Sequence, residues 1–203
     1  MASKKLNNIY IKDAFSIAGP VEKKGSIKNY DLVMDDYYYG EKTFEQAEIK
    51  MQREVIDNLL LKNKLMNSEI DVLVGGDLSN QISVSCYAAS NYNIPFFGVY
   101  SACASFIEGV ITASELIESK RKANAICVTS SHNLHAEKQF RFPIEYGAPK
   151  PATTTFTATG AVATLLTKEP SKIKVESYTI GKVEDMGCKD ASHMGAVMTP
   201  AAA

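Results

Sequence analysis

Short apolar runs and helical patterns succeed each other along the chain. Four runs, at residues 71–76, 94–99, 124–129 and 160–166, contain or border glycine, proline, aspartate or asparagine, as buried strands commonly do. A fifth run, at residues 173–179, alternates apolar and polar side chains, which is typical of a strand with one exposed face. One helical pattern precedes the first run, and further helical patterns follow the first and the second runs. This succession predicts an α/β protein with a mostly parallel sheet, right-handed crossovers and helices on both faces.

The longest helical pattern begins at a capping sequence. Residues 43–46 read Thr-Phe-Glu-Gln, which is the spacing of a capping box. Apolar positions then repeat every three or four residues, as on the buried face of a helix. These positions are Phe44, Ala47, Met51, Val55, Ile56, Leu59 and Leu60. A second helix is predicted from residues 77–82 to about Ala89, after the glycine turn that ends the first strand.

Cys103 lies where the spacing of apolar residues changes from that of a strand to that of a helix, between the apolar run at 94–99 and a third helical pattern. The start of a helix offers unpaired N–H groups and the positive end of the helix dipole, which favour a thiolate and bind anions. Gly109 and Ala113 permit close packing of this helix. Small neighbours leave room for a ligand; they are Ser101, Ala102, Ala104 and Ser105. Alternatively, Cys103 packs as a small buried hydrophobe.

Composition and charge narrow the class of protein. The chain has 203 residues and a net charge of −1, which provides no overall field for nucleic acid. No apolar run approaches a membrane span and the N-terminus lacks a signal core, so we expect a soluble chain. We expect no cofactor, and no metal site because the cysteines lack metal-like spacing. The cysteines fall in helix, turn, strand and loop patterns, so we expect a reducing compartment and no disulfide framework. They are Cys86, Cys103, Cys127 and Cys188.

The last residues resemble the beginning of a helix. Pro200 follows Met198 and Thr199 and precedes three alanines, which places proline where helices start. We therefore expect residues 1–170 to form an N-terminal half and residues 171–203 to begin a second half that is cut short. The strand at 173–179 would then expose apolar surface.

Several segments resemble a known family. Residues 68–77, 101–106 and 157–166 occur in the order found in the N-terminal half of thiolase-fold proteins, which include condensing enzymes with an Ala-Cys nucleophile. Others resemble more narrowly the thiolase-like family of stage V sporulation protein AD from spore-forming bacteria. They are residues 129–133 (Thr-Ser-Ser-His-Asn), 136–143, 145–147, 150–151 and 194–203. The resemblance covers nearly the whole chain and implies a thiolase-like fold.

That family is implicated in moving dipicolinic acid into the developing spore. The resemblance therefore implies that the chain binds dipicolinic acid, with calcium as its accompanying ion, without transforming it. It also implies partners among other stage V sporulation membrane proteins and a location peripheral to the spore inner membrane or in the forespore. Whether the chain forms a homodimer stays open, and the resemblance implies neither a cofactor nor a nucleic-acid partner.

Dipicolinic acid, a flat pyridine with two carboxylates, needs anion donors and apolar walls. The N–H groups of the helix after Cys103 would bind one carboxylate. Arg141, between Phe140 and Phe142, would pair with the other carboxylate. The remaining edge would be lined by Ser131, His132, Asp77 and Gln81.

Some of these residues also have a structural interpretation. Arg141 would then be an ordinary loop arginine, and Asp77 would cap the second helix. His132 would be a buried histidine whose ring nitrogens are hydrogen-bonded within the protein. The other two histidines, His135 and His193, are predicted to be exposed.

Two further functions stay open. In the first, Cys103 is the nucleophile of a thiolase- or condensing-enzyme-type acyltransferase. Thiolase-fold enzymes take the activating histidine mainly from their second half, so the binding function is favoured. In the other, the chain is a structural subunit with a vestigial pocket. The segment 130–159 is longer than usual connections, so we expect a lid, a partner surface or an oligomer contact within it.

Overall fold

The computed structural model describes residues 2–120, 123–140, 157–189 and 194–202. The strands in these residues are β1 (Ala2–Lys5), β2 (Tyr10–Ala18), β3 (Leu32–Val33), β4 (Val72–Gly76), β5 (Phe96–Gly98), β6 (Asn124–Ser131), β7 (Gly160–Thr167), β8 (Ile173–Lys174) and β9 (Ser177–Ile180). The helices are α1 (Phe44–Asn63), α2 (Ser83–Ala89), α3 (Ser105–Glu118), α4 (Asn133–Phe140) and α5 (Met194–Ala202).

A seven-stranded sheet in the order β3-β2-β7-β6-β4-β5, with β8 beside β2, forms the centre of the fold. β4 pairs in parallel with β5 and β6. β7 pairs antiparallel with β6 and β2, while β3 is parallel to β2 and β8 is antiparallel to it. Strands β2 to β6 therefore run in one direction and β7 and β8 oppose them. The prediction of a mostly parallel α/β sheet is confirmed.

Helices cover both faces of this sheet, as predicted. Successive residues of a strand point to opposite faces, and two separate cores follow that alternation. Leu73 and Ile126 belong to one core with the buried apolar side chains of α1. Val72 and Val74 belong to the other, with Val110 and its neighbours on α3. The sheet thus positions α1 and α3 on opposite sides.

Helix α1 follows its predicted apolar stripe closely. Thr43 is the N-cap, and its hydroxyl accepts a hydrogen bond from the Gln46 N–H at 3.2 Å. The predicted face is buried apart from Phe44, which is partly exposed. Two polar residues, Glu48 and Gln52, are buried on the same helix. These buried polar side chains were not predicted, and they lie beneath the site described below.

Two elements near the site differ from the predicted ones. β5 is shorter and more exposed than the buried strand expected at 94–99, because it lies at the edge of the described sheet. α2 begins at Ser83, later than predicted. The preceding residues form a turn in which Gln81 and Ile82 have left-handed φ angles of 60° and 48°.

The C-terminal elements also differ from expectation. The run at 173–179 forms two short strands, β8 and β9, which pair with β2 and β1. Ile173 and Ile180 nevertheless stay exposed. α5 begins at Met194, earlier than the start expected at Pro200. The division of the chain at residue 170 stays a prediction. None of the helices in the described ranges is long and apolar enough to cross a membrane.

Gly109 provides a test of the packing between α3 and β6. A Cβ atom at Gly109 would lie 2.5 Å from the Sγ of Cys127, which is fully buried. We expect Gly109→Ala to lower the free energy of unfolding by about 1–3 kcal/mol, although alanine is the better helix former. Denaturant titration measures the change. Gly181→Ala is the control, since nothing lies within 4 Å of its added atom. An alanine at 109 that is as stable as glycine would contradict this packing.

Candidate functional site

A cavity of about 440 Å³ opens where several strands end. Its walls come from the carboxyl ends of β2, β4 and β6 and from the beginning of the antiparallel strand β7, all at one edge of the sheet. The turn before α3 closes one side. Open α/β sheets bind ligands outside the carboxyl ends of their strands, so the cavity lies where a ligand is expected.

Cys103 lies in a short 3₁₀ turn, Ala102–Ala104, immediately before α3. Its predicted position at a strand-to-helix turn is confirmed. Cys103 lines the cavity and is exposed, whereas Ser105 is buried and its hydroxyl accepts a hydrogen bond from the Ser101 N–H at 3.1 Å. Ala102 has a left-handed φ of 47°, a conformation that costs a non-glycine residue about 1–2 kcal/mol. The turn therefore presents Cys103 to the cavity under backbone strain.

Asp77 follows β4 and lines the cavity, but its carboxylate is engaged within the chain. One oxygen accepts hydrogen bonds from the N–H and hydroxyl of Ser79. The other accepts from the N–H and hydroxyl of Ser85, both at 2.7 Å. Since Ser85 is in the first turn of α2, Asp77 acts as a cap of this helix. The structural interpretation of Asp77 is thus the better one.

Ser131 and Gln81 have different positions in the structure. Ser131 lies at the end of β6 and lines the cavity. Its hydroxyl oxygen is buried and accepts or donates no hydrogen bond among the described residues. Gln81 is exposed in the turn before α2 and is not part of the cavity wall. The structure therefore brings Cys103, Asp77 and Ser131 together, without Gln81.

His132 is a core residue in this structure and does not belong to the cavity wall. Its Nε2 donates to the carbonyl oxygen of Tyr37 at 2.8 Å, and its Nδ1 accepts from the Leu134 N–H at 3.3 Å. The ring stacks on Phe44, with 5.1 Å between the ring centroids. Burial lowers the pKa of His132. Both ring nitrogens are used within the chain, which favours the structural interpretation of His132, and its contact with a ligand stays a prediction. Arg141 and His193 lie outside the described residues.

A buried polar network lies beneath the cavity. The side-chain amide of Gln52 donates to the Ser85 and Ser130 hydroxyls at 2.9 and 2.8 Å. The Ser130 hydroxyl donates to Glu48 at 2.7 Å. The other Glu48 oxygen accepts from His135 Nδ1 at 3.1 Å. Asp77, which binds Ser85, and Ser130 both line the cavity. The network therefore joins the cavity wall to α1 and α4.

His135 was expected to be exposed, and this expectation is wrong. It is 7% exposed, because α4 follows β6 directly and turns His135 towards α1. The hydrogen bond to Glu48 is the main reason that the pKa of His135 is raised. One sequence signal pointed here. Glu48 and Gln52 are four residues apart and directly follow the apolar positions Ala47 and Met51, which places both at the border of the buried face of α1.

Glu22 is a second residue that the sequence interpretation missed. It lies in the loop after β2 and lines the cavity. One of its carboxylate oxygens accepts from the N–H of Thr159 at 2.9 Å. The other is buried and accepts no hydrogen bond among the described residues. No local pattern marked Glu22, because Thr159 is 137 residues further along the chain.

The described cavity wall has a definite chemistry. It contains hydroxyl groups, apolar side chains, one thiol and two carboxylates, but the described lining residues include no histidine, lysine or arginine. No group of three or more potential metal-ligating side chains occurs in the described part of the chain. The thiol of Cys103 therefore has no histidine base beside it among these lining residues.

Solved structures with similar architecture are thiolase-like condensing enzymes. The chain matches the acyltransferase ChlB3 with a TM-score of 0.53 and 14% identity, over 80% of this chain and 51% of that one. It matches a variant of OleA from Xanthomonas campestris with a TM-score of 0.51 and 15% identity, over 80% and 59% of the two chains. At these identities the likeness shows the fold alone, and the fold is thiolase-like.

Sequence comparison identifies the family, whereas the solved structures show the fold alone. The chain is 40% identical over 196 residues to stage V sporulation protein AD of Bacillus subtilis (strain 168), which covers 96% of this chain and 58% of that protein. It thus spans less than two thirds of the length of this relative. The family model for stage V sporulation protein AD matches residues 2–203. With its thiolase-like fold and this match over almost every residue, the chain belongs to the stage V sporulation protein AD family.

Proposed function

We propose that this chain binds dipicolinic acid without transforming it, within a protein that takes part in dipicolinic acid uptake into developing bacterial spores. The observation that carries the proposal is the cavity of about 440 Å³ that Cys103 and Ser131 line in a member of this family. We further propose that other stage V sporulation membrane proteins are its partners, that it acts at the spore inner membrane or in the forespore, and that calcium accompanies the ligand.

The cavity suits a small flat acid. Its volume lies within the range of about 300–1,000 Å³ that is usual for ligand pockets. Ile17 and Phe106 offer apolar wall, while Thr129, Ser130 and Ser131 bring hydroxyl groups. The N–H groups of Ala104 and Ser105 donate to the carbonyl oxygens of Ser101 and Ala102. The start of α3 beside the cavity would therefore attract a carboxylate through the positive end of the helix dipole and the N–H groups that follow. The site needs no reacting group for this function.

Calorimetric titration of the full-length protein with dipicolinic acid tests the proposal. We expect saturable binding of one molecule per chain. Pyridine, which has the ring without the carboxylates, should give no saturable heat because its one neutral acceptor does not replace two charged carboxylates. The proposal fails if dipicolinic acid gives no saturable heat or if pyridine binds equally well.

Arg141 is the cationic side chain that we propose as a partner of the second carboxylate. Arg141→Ala should weaken binding of dipicolinic acid by about 1–3 kcal/mol, because a charge-assisted hydrogen bond is lost. If that hydrogen bond is exposed, high salt should diminish the loss. The same titration measures both effects, with Lys182→Ala, far along the chain and exposed, as the control. Unchanged affinity in Arg141→Ala would remove this residue from the site.

Acyl transfer is the second candidate function, and the exposure of Cys103 in a strained turn of a thiolase-like fold favours it. In that case the thiolate of Cys103 would attack an acyl thioester, form an enzyme thioester and release the leaving thiol. Labelling by iodoacetamide as a function of pH and mass spectrometry after incubation with acyl-CoA separate the two functions. A covalent acyl adduct on Cys103 would overturn the binding-only proposal.

A further inference from the structure

The loop between β2 and β3 exposes basic and apolar side chains together. From Val21 to Asn29 every residue except Glu22 is exposed. Val21 and Ile27 are large apolar side chains, yet they are 41% and 63% exposed. Three exposed lysines lie in the same segment: Lys23, Lys24 and Lys28. We call residues 21–29 the basic loop.

The exposed charge of the basic loop is positive. Its acidic residue, Glu22, is turned inward, and one of its oxygens accepts a hydrogen bond from the N–H of the buried Thr159 at 2.9 Å. Asp31, the next acidic residue along the chain, accepts hydrogen bonds from the N–H and the hydroxyl of Ser16 at 2.8 and 2.9 Å. No ion pair between described residues includes a lysine of the loop. The three positive charges therefore face solvent, where they can meet a negative surface.

The basic loop lies at the rim of the cavity. Glu22 lines the cavity, as does Tyr30, which follows the loop directly. A 3₁₀ turn at Glu22–Lys24 orders the first half of the loop, and the Gly25 N–H donates to the Glu22 carbonyl oxygen at 2.9 Å. A surface that binds the loop therefore comes close to the mouth of the cavity.

Lysines beside exposed aliphatic side chains fit an anionic lipid bilayer. Each lysine near such a surface strengthens binding by roughly fivefold. Aliphatic side chains enter the boundary between headgroups and acyl chains, and stable membrane binding takes both contributions. A protein partner is the poorer fit, because stable protein interfaces use about 20–30 residues on each side and the loop is far shorter. The negative surface and apolar interior of a bilayer match both features of the loop.

We propose that the basic loop is a membrane-docking surface, which binds anionic phospholipid headgroups through Lys23, Lys24 and Lys28 and inserts Ile27 between them. Docking turns the rim of the cavity towards the bilayer. The inference goes beyond the proposed function, because it requires no ligand in the cavity and names the part of the chain that contacts the lipid.

Flotation of the full-length protein with lipid vesicles, in the absence of dipicolinic acid, tests the inference. One set of vesicles contains phosphatidylcholine alone, and the other contains equal parts of phosphatidylcholine and phosphatidylglycerol. We expect wild type to bind the mixed vesicles at least about tenfold more strongly than the neutral ones. High salt should reduce this preference, because it screens exposed charges. Equal binding to the two kinds of vesicle, or binding to neither, would overturn the inference.

Two variants of the basic loop separate its two contributions. Removing the charges of Lys23 and Lys24 together, as Lys23→Gln with Lys24→Gln, should weaken binding to the mixed vesicles at least about tenfold. Ile27→Gln should weaken it at least about threefold, because a polar side chain does not enter the acyl boundary. Binding that Ile27→Gln leaves unchanged would overturn the insertion of Ile27.

β8 provides matched controls at the other end of the sheet. Ile173 is 57% exposed between two exposed lysines, Lys172 and Lys174, and β8 pairs with the beginning of β2, away from the cavity. Lys172→Gln with Lys174→Gln, and Ile173→Gln, should keep wild-type binding to the mixed vesicles. Thermal unfolding should show all four variants folded, since the replaced side chains are exposed.

The outcomes are independent of the proposed function. If the β8 variants lose as much binding as the loop variants, the vesicles respond to overall charge and apolar exposure, and the basic loop is not the docking surface. Failure of wild type to prefer anionic vesicles overturns the docking surface while the calorimetric test of dipicolinic acid binding keeps its own result. Failure of dipicolinic acid to bind leaves vesicle binding by the loop unaffected.

Discussion

Replacing Glu48 by alanine should lower the free energy of unfolding by about 3–5 kcal/mol, the largest loss of stability that we expect from one substitution here. Glu48 is 1% exposed and accepts hydrogen bonds from both Ser130 and His135. Removing it leaves a buried hydroxyl and a buried imidazole without their acceptor, and Gln52 loses the ordered Ser130 hydroxyl that it contacts. Denaturant titration followed by circular dichroism measures the loss.

Glu45 supplies the matched control for Glu48. Its carboxylate lies 3.9 Å from the other ring nitrogen of His135, but the side chain is 42% exposed. Glu45→Ala should therefore cost no more than about 1 kcal/mol, as partly exposed ion pairs and charges at a helix start usually do. Equal losses in the two variants would show that burial of Glu48 does not determine its contribution.

The loss in Glu48→Ala should also depend on pH. The pKa of His135 is raised, first by the hydrogen bond to Glu48, with further contributions from the charges of Glu45 and Asp77. A raised pKa contributes stability that is fully present below the ordinary value near 6.5 and is lost as pH rises through the folded-state value. The destabilisation should thus be larger near pH 6 than near pH 9.

His132 has the opposite linkage and provides a check on the sign. Its pKa is lowered by burial, so its contribution is present above the ordinary value and is lost as pH falls through the folded-state value. The charge of Glu48 is among the influences that raise the pKa of His132, so its removal lowers that pKa further. Both histidines therefore make the destabilisation larger at low pH. A difference that is the same near pH 6 and pH 9 would contradict the assignment.

The second large effect concerns ligand affinity. Cys103→Leu should weaken binding of dipicolinic acid by roughly 100-fold, about 2.7 kcal/mol, since the larger side chain enters the cavity that Cys103 lines. Cys103→Ser should stay within about threefold of wild type, because the N–H groups at the start of α3 remain. Since Cys103 is exposed, both variants should fold normally. Calorimetry of the full-length protein compares the three proteins.

The two Cys103 substitutions also test the nature of the site. Wild-type affinity in Cys103→Leu would move the ligand away from this cavity. Loss of affinity in Cys103→Ser, with a covalent acyl adduct on the wild-type thiol, would mean that Cys103 acts as a nucleophile. The binding proposal requires neither result.

Local patterns in the sequence determined much of the fold. The change of period at Cys103 predicted the turn before α3, and the apolar runs predicted β4, β6 and β7 at nearly their observed bounds. The capping sequence at Thr43 predicted the first residue of α1. These features depend on residues close together in the chain, where side-chain spacing and backbone preference act directly. The segments that resemble the family also predicted the fold correctly.

Only the tertiary structure decided which side chains meet at the site. Glu22 and Thr159 are 137 residues apart, and Glu48 and His135 are 87 residues apart. Glu22 meets Thr159 because β2 pairs with β7, and Glu48 meets His135 because α1 packs against β6 and the following α4. Periodicity along the chain encodes neither contact. His132 is buried against Tyr37 and Phe44, which are also distant in the chain. The sequence by itself thus determined the elements and the Cys103 turn, while the strand order determined the charge and shape of the cavity, since both arise from contacts between distant residues.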